Sequence, residues 1–177
     1  MRNNSKSMTH IVLLFMIWSF IIGGIVGYEV QTRAYINIYR HNLQTNYTHY
    51  RTMYKWLTVE IFTAVVRSCD RYKLPIPLVL AVIDAESGGK SNAVSAKGAI
   101  GLMQVMPFHS DNPKRLFNPT YNIDKGCSIL AWCLKISGGD VVMALKNYNS
   151  GFKSNYYNKP YISDVVLNYI AKGQFKI

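Results

Sequence analysis

Glu86 stands where an apolar segment ends and a glycine-rich turn begins. The segment before it, 77–83, is apolar throughout, and a helix that is apolar on every side is typically buried. Glu86 would then emerge at the C-terminal end of a core helix, where desolvation raises the pKa of a carboxyl group. Such a group can act as a general acid, as in glycoside cleavage. On position alone, an ordinary surface glutamate at a helix end is the commoner case.

A second carboxylate, the usual partner in glycoside hydrolysis, is not evident in the sequence. Asp84 lies two residues before Glu86, a rotation of about 200° around a helix, so its side chain should face the other way. The remaining candidates are Asp111, Asp124, Asp140 and Asp164. No neighbouring motif distinguishes any of them, so the sequence offers Glu86 alone.

Two further stretches carry polar groups that suit a binding cleft. The run 98–107 places Gln104 and several backbone amides on a turn whose small residues allow close approach of a ligand. The segment 148–151 offers a phenol and an amide at a helix end. Set beside Glu86, these groups weaken its interpretation as a surface residue.

The order of these blocks resembles the soluble lytic transglycosylases of the goose-type lysozyme superfamily. The matching blocks are Glu86-Ser87, the run 98–107, Asn118-Pro119 with Asn122-Ile123 and Gly126, Ala144-Leu145 with 148–151, and Tyr161 followed by Val165. The resemblance covers roughly residues 54–171, and the first two blocks are the most specific. It implies a single, mainly α (α+β lysozyme-like) domain with a glycan cleft, and no cofactor or metal.

The resemblance also implies a reaction, cleavage of the β-1,4 bond between N-acetylmuramic acid and N-acetylglucosamine in peptidoglycan with formation of 1,6-anhydromuramic acid. Glu86 would protonate the leaving oxygen and then accept the proton of the muramic 6-hydroxyl, so one carboxyl group is enough. By similarity, Ser87, Met103 and Gln104 would line the cleft near the scissile bond. Tyr148 and Asn149 would orient Glu86 or the acetamido group, and Tyr161 is a further cleft candidate.

The chain departs from the family pattern at a few positions. Asn147 stands where Ala commonly precedes the Tyr-Asn pair, Gly88-Gly89 replaces an aromatic residue that often follows Glu-Ser, and the segment 108–117 is short. These departures concern the shape of the sugar subsites rather than the proton chemistry. Two alternatives remain open: a hydrolytic lysozyme (muramidase), and a non-catalytic peptidoglycan-binding module of a phage or secretion machine.

The N-terminal region predicts attachment to a membrane. Residues 11–28 contain no charge, and ~18 apolar residues are just enough to cross a bilayer as a helix. Arg2 and Lys6 favour a cytoplasmic segment 1–10, with a helical, tyrosine-rich stalk at 29–53 and the transglycosylase domain at 54–177 in the periplasm. A cleaved signal peptide is the competing interpretation, against which the long apolar run and the poor cleavage site argue. In a phage with an internal membrane, the protein would instead be virion-associated.

The formal charge of +11 favours a polyanionic partner, namely an acidic cell-wall polymer, anionic lipid or nucleic acid. Nucleic acid ranks last because no basic recognition helix is present. The three cysteines, Cys69, Cys127 and Cys133, are too few for a disulfide scaffold, and no ligand spacing predicts a metal site. We expect three small buried hydrophobes, with a bridge from Cys69 to one of the others as the alternative.

Hydrophobic spacing predicts helices over 56–72, from Pro77 to Gly88-Gly89, and over 123–136, 141–148 and 161–171. Residues 113–122 are expected to form a loop, because Asn and Pro punctuate them. At most a small irregular hairpin is expected near 94–100.

Overall fold

The computed structural model describes the backbone of residues 4–151 and 158–173, and the side chains of 22–27, 29–34, 36–38, 40–151 and 158–171. The helices are α1 (Asn4–Met53), α2 (Val59–Tyr72), α3 (Ile76–Ser87), α4 (Pro119–Ile136), α5 (Val141–Ser150) and α6 (Lys159–Gly173). Two short 3₁₀ helices, Pro107–His109 and Pro113–Phe117, precede α4. Within the described backbone there is no strand, only isolated bridges from Ile100 to Val94 and to Val105. The prediction of a mainly helical domain is confirmed.

The chain divides into two compact units, Met1–Thr48 and His49–Ile177. In the first unit, residues 29–48 are helical, as expected for the stalk. No helix in the searched part of the chain is both long enough and apolar enough to span a bilayer. The predicted anchor, 11–28, falls largely outside the residues whose side chains are described, because that description begins at residue 22.

Helix α3 forms part of the core of the second unit, where it packs against α2 and α6. Its residues 78–83 are at most 1% exposed, as their apolar run predicts. Pro77 lies in the first turn, where its missing N–H is no loss. Gly88 ends the helix in the left-handed conformation, with φ of 58°, and donates to the carbonyl of Asp84. Glu86 therefore occupies the last turn of a buried helix.

The starts of α2 and α4 differ from the predictions. Helix α2 begins at Val59 rather than Trp56, because the Thr58 side chain caps it by accepting from the amide of Ile61. The predicted loop around 118–122 is wrong. Asn118 caps α4 by accepting from the amide of Tyr121 at 2.9 Å, and Pro119 is the first helical residue. The two residue types that indicate a turn here begin a helix.

All three cysteines are free and buried. Burial raises the pKa of the Cys69 thiol to about 12 and that of Cys133 to about 11. The sulfur of Cys127 lies 4.0 Å from that of Met103 in the core. The interpretation of the cysteines as small buried hydrophobes is confirmed, and the alternative bridge from Cys69 is not formed.

Candidate active site

A cavity of about 510 Å³ lies beside the C-terminal end of α3. It is lined by residues from the end of α3, from the loop that follows it, from the end of α5 and from the position before α6: Glu86, Ser95, Lys97, Ala99, Gln104, Met106, Tyr148, Asn149, Ser150 and Asn158. Four predicted site residues, Glu86, Gln104, Tyr148 and Asn149, therefore meet at one cavity. Ser95, Lys97 and Asn158 were missed, because nothing in their local sequence separates them from ordinary polar loop residues.

Glu86 has the electrostatic character of a general acid. Burial raises the pKa of its carboxyl group to about 7, since the charged form is disfavoured away from water. The nearby Tyr161 hydroxyl opposes this shift by favouring the carboxylate. That hydroxyl is itself buried and makes no hydrogen bond of ordinary geometry. It therefore acts on the Glu86 carboxyl group through a contact that is weaker than a standard hydrogen bond. Glu86 is consequently divided between its acid and carboxylate forms near neutral pH.

No second carboxylate joins Glu86 among the described lining residues. Asp84 faces elsewhere, as predicted, and accepts a hydrogen bond of 2.8 Å from the indole nitrogen of Trp56. Asp124 lies 2.7 Å from the Arg71 guanidinium, and Asp140 caps α5 through the amide of Met143. These acids have structural partners away from the cavity.

The loop 98–107 forms one wall of the cavity. Its residues Gly101 and Gln104 have the positive φ angles of tight turns. Gly101 has φ of 79°, and a Cβ atom there would lie 2.3 Å from the Asn122 side-chain nitrogen, so only glycine fits. Gln104 adopts φ of 47° without being glycine. Its Nε2 donates to the carbonyls of Gly101 at 2.9 Å and Ala93 at 3.3 Å. Because both amide protons are directed at carbonyls, the Oε1 atom is the end of Gln104 that a ligand can use.

Asn122 holds this wall from behind. It is fully buried, and its Oδ1 accepts from the amide of Met103 at 2.8 Å. Its Nδ2 donates to the carbonyls of Ile100 at 2.8 Å and Leu116 at 2.9 Å. One helical side chain thus satisfies three backbone groups of the loop segments that precede α4. The sequence contained Asn122 in a matching block but gave no sign of this role.

Met103 supports the site from the core rather than lining it. Its side chain is 0% exposed and packs against Gly126, where a Cβ atom would lie 2.5 Å from the Met103 sulfur. Its carbonyl oxygen accepts a hydrogen bond of 2.8 Å from the Tyr148 hydroxyl. Met103 therefore acts on the cavity through its backbone.

Ser87 also lies outside the lining residues and joins two parts of the site. Its hydroxyl donates to the carbonyl of Leu102 at 2.8 Å and accepts from the amide of Gly89 at 3.2 Å. These contacts fasten the end of α3 to the cavity wall. Tyr161, 9% exposed, lies beside Glu86 but is not among the lining residues.

The departures from the family pattern have structural reasons. Gly89 has φ of 76°, and a Cβ atom there would lie 2.2 Å from the Trp56 ring. Trp56 therefore covers the backbone at the position where an aromatic side chain was expected. Asn147 is buried, at 7% exposure, and its Nδ2 donates to the Ser137 hydroxyl at 3.1 Å. Neither change adds or removes an acid at the cavity.

The arrangement of helices is that of the lytic transglycosylase fold. The structure is similar to that of an inactive mutant of lytic transglycosylase Slt from Pseudomonas aeruginosa, with a TM-score of 0.56 and 22% identity over 63% of this chain and 24% of that chain. It is also similar to the 70-kDa soluble lytic transglycosylase in complex with bulgecin A, with a TM-score of 0.51, 21% identity, and coverage of 64% and 21%. At such identities the likeness shows the fold alone.

Residues 65–161 match the family described as the Transglycosylase SLT domain, which is more than half of the chain, and the chain belongs to this family. Among curated relatives it is similar to membrane-bound lytic murein transglycosylase E of Buchnera aphidicola, with 28% identity over 132 residues, 67% of this chain and 60% of that protein. It is also similar to the transglycosylase of Enterobacteria phage PRD1, with 37% identity over 83 residues, 46% of this chain and 31% of that protein. The chain spans less than two thirds of these relatives.

Proposed function

We propose that this protein is a peptidoglycan lytic transglycosylase that cleaves the bond between N-acetylmuramic acid and N-acetylglucosamine and leaves a 1,6-anhydromuramic end. The observation that carries the proposal is Glu86, a carboxyl group whose burial raises its pKa to about 7 in a polar cavity without another acidic residue among those described as lining it. Membership of the SLT family and the murein transglycosylase names of relatives support it.

The proposed reaction needs one carboxyl group. Protonated Glu86 donates its proton to the glycosidic oxygen as the bond from that oxygen to the muramic anomeric carbon breaks. The muramic 6-hydroxyl oxygen then bonds to the same carbon, and the Glu86 carboxylate accepts its proton. Glu86 ends in its starting form and no water is added, so atoms and charge balance without a second acid.

The other site residues have three roles under this proposal. Gln104, Tyr148 and Asn149 contact the sugar directly, because all three line the cavity. Ser87 and Met103 act through the backbone contacts that fix the wall. Tyr161 favours the carboxylate form of Glu86, which is the form needed to accept the second proton.

We further infer that residues 11–28 anchor the chain in a membrane and that the domain acts from the periplasmic side. The uncharged run of ~18 residues supports this placement, as does the description of several relatives as membrane-bound. The proposed role is local opening of the wall, in phage entry, secretion or wall remodelling. Similarity to a phage transglycosylase supports the phage version, including a virion-associated location.

Digestion of purified peptidoglycan sacculi, followed by mass spectrometry of the soluble products, tests the proposal. Anhydromuropeptides are expected from the wild type, and Glu86→Gln should lower their release by a factor on the order of a thousand or more. Glu60→Gln, an exposed change on α2, is the matched control and should leave activity unchanged.

Other products would identify the alternatives. Reducing ends instead of anhydro ends would indicate a hydrolytic lysozyme. A wild-type protein that binds sacculi without releasing products would be a peptidoglycan-binding module. Full activity in Glu86→Gln would remove Glu86 from the mechanism.

A further inference from the structure

A second cavity, of about 340 Å³, lies between α2 and the start of α4. It is lined by Ala64, Arg67, Ser68, Arg71, Arg115, Asn118, Thr120, Tyr121 and Asp124, and we call it the arginine groove. None of these residues lines the cavity at Glu86. The groove therefore needs an explanation separate from the cleavage of glycan.

Positive charge exceeds negative charge in the arginine groove. Three arginines, Arg67, Arg71 and Arg115, line the groove together with one acidic residue, Asp124. Asp124 is paired with Arg71 at 2.7 Å. Within the described part of the chain, Arg67 and Arg115 have no acidic partner. Two guanidinium charges are thus left for a ligand.

The position of Arg115 is fixed by an aromatic ring. Its guanidinium carbon lies 4.2 Å from the centre of the Tyr121 ring, and the Tyr121 hydroxyl hydrogen-bonds with Ser110 at 3.0 Å. A guanidinium stacked on a ring keeps its N–H edge free for hydrogen bonds in its own plane. This contact keeps the Arg115 side chain near the Tyr121 ring, which also lines the groove.

Ser68 adds a polar side chain to the lining of the groove. The residue is only 4% exposed, and it lines the cavity. A serine hydroxyl can donate a hydrogen bond to a ligand oxygen.

We propose that the arginine groove binds a phosphate group, carried either by the headgroup of an anionic phospholipid or by a small soluble phosphate ester. Guanidinium groups bind phosphate through paired N–H donors, and phosphate oxygens accept from more than one guanidinium at once. One arginine is enough to pair with a carboxylate, as Arg71 pairs with Asp124 in this groove. The number of arginines and the Ser68 hydroxyl therefore favour phosphate over a carboxylate ligand.

Calorimetric titration of the full chain in a neutral detergent tests the proposal. The probes are glycerol 3-phosphate and short-chain phosphatidylglycerol, with short-chain phosphatidylcholine as the uncharged comparison. The double variant Arg67→Gln/Arg115→Gln should weaken binding by about tenfold or more, and Ser68→Ala by roughly threefold. The matched control is Lys55→Gln/Lys135→Gln, which removes the same charge from exposed positions outside the groove.

The two probes distinguish the source of the phosphate. Equal affinity for glycerol 3-phosphate and phosphatidylglycerol would assign a soluble ester, and binding of phosphatidylglycerol alone would assign a lipid headgroup. Either result supports the proposal if the double variant loses that binding. The proposal is overturned if neither probe binds the wild type, if the double variant binds as tightly as the wild type, or if the lysine control loses as much affinity. Both substituted arginines are exposed, so the double variant should fold normally.

Discussion

The hydroxyl group of Tyr148 donates a hydrogen bond of 2.8 Å to the backbone carbonyl of Met103. Tyr148 comes from the end of α5, while Met103 belongs to the loop 98–107, so the bond joins two sides of the cavity around Glu86. Met103 is buried from the other side by Gly126. The cavity wall is therefore fixed between a helix end and the core.

Tyr148→Phe should destabilise the protein by about 1–3 kcal/mol, because it leaves the buried Met103 carbonyl without its partner. The free energy of unfolding in urea measures this change. Tyr161→Phe is the matched control, since the Tyr161 hydroxyl makes no hydrogen bond of ordinary geometry, and it should cost less than about 0.5 kcal/mol. Equal losses in the two variants would mean that the bond to Met103 contributes nothing.

Tyr161→Phe should instead change the pH dependence of activity. The Tyr161 hydroxyl lowers the pKa of Glu86 against the larger effect of burial, so its removal should move that pKa above about 7. Because Glu86 must begin the reaction protonated, kcat/KM should fall at high pH, and the midpoint of this fall should move upward in the variant. Tyr121→Phe, outside the active-site cavity, should leave the midpoint in place. An unchanged midpoint in Tyr161→Phe would contradict the coupling.

Glu86 should also make stability depend on pH. The pKa of its carboxyl group is raised from 4.5 to about 7 by folding, so the folded state binds the proton more tightly than the unfolded state. The resulting stabilisation is complete below about pH 4.5 and is lost as the pH rises through about 7. Glu86→Gln has no such loss, and its stability relative to the wild type should rise by up to about 3 kcal/mol across this window. Urea unfolding at about pH 4, 5.5 and 8 measures the difference; a constant difference would show that Glu86 does not titrate in this way.

Asn122→Ala should be the most damaging of the wall substitutions. It removes all three hydrogen bonds to the amide of Met103 and the carbonyls of Ile100 and Leu116, and we expect a loss of about 3–5 kcal/mol. Asn118→Ala is the control of the same chemistry, because it removes only a helix cap and should cost about 1 kcal/mol. Urea unfolding of both variants makes the comparison. A similar loss in both would show that Asn122 acts as an ordinary helical residue.

Much of the fold follows from local signals. The apolar run 77–83, the proline at its start and Gly88 at its end were enough to place Glu86 at the end of a buried helix, because each acts on its own neighbours in the chain. The same local reasoning failed at Asn118-Pro119. Asn and Pro favour both turns and helix starts, and only the helix that follows decides between them.

The site itself depends on contacts that are distant in sequence. Asn122 binds the carbonyl of Ile100, 22 positions away, and Trp56 covers Gly89. Met103 was expected to line the cleft because neighbouring residues of its motif do so, but tertiary packing places its side chain in the core. Spacing along the chain carries no information about such contacts. The resemblance to a family named candidate residues, but it did not show which of them line the cavity and which contact its wall through the backbone.

The three thiols are buried and form no disulfide bond, so the folded core contains no bond between cysteines that depends on redox conditions. Thiolate is the reactive form of cysteine, and burial raises the thiol pKa of Cys69 and Cys133 far above neutrality. The thiol pKa of Cys127 is raised in the same way. Neither an oxidant nor a disulfide isomerase is needed to complete the core, so the same folded unit can form in a reducing or an oxidising compartment.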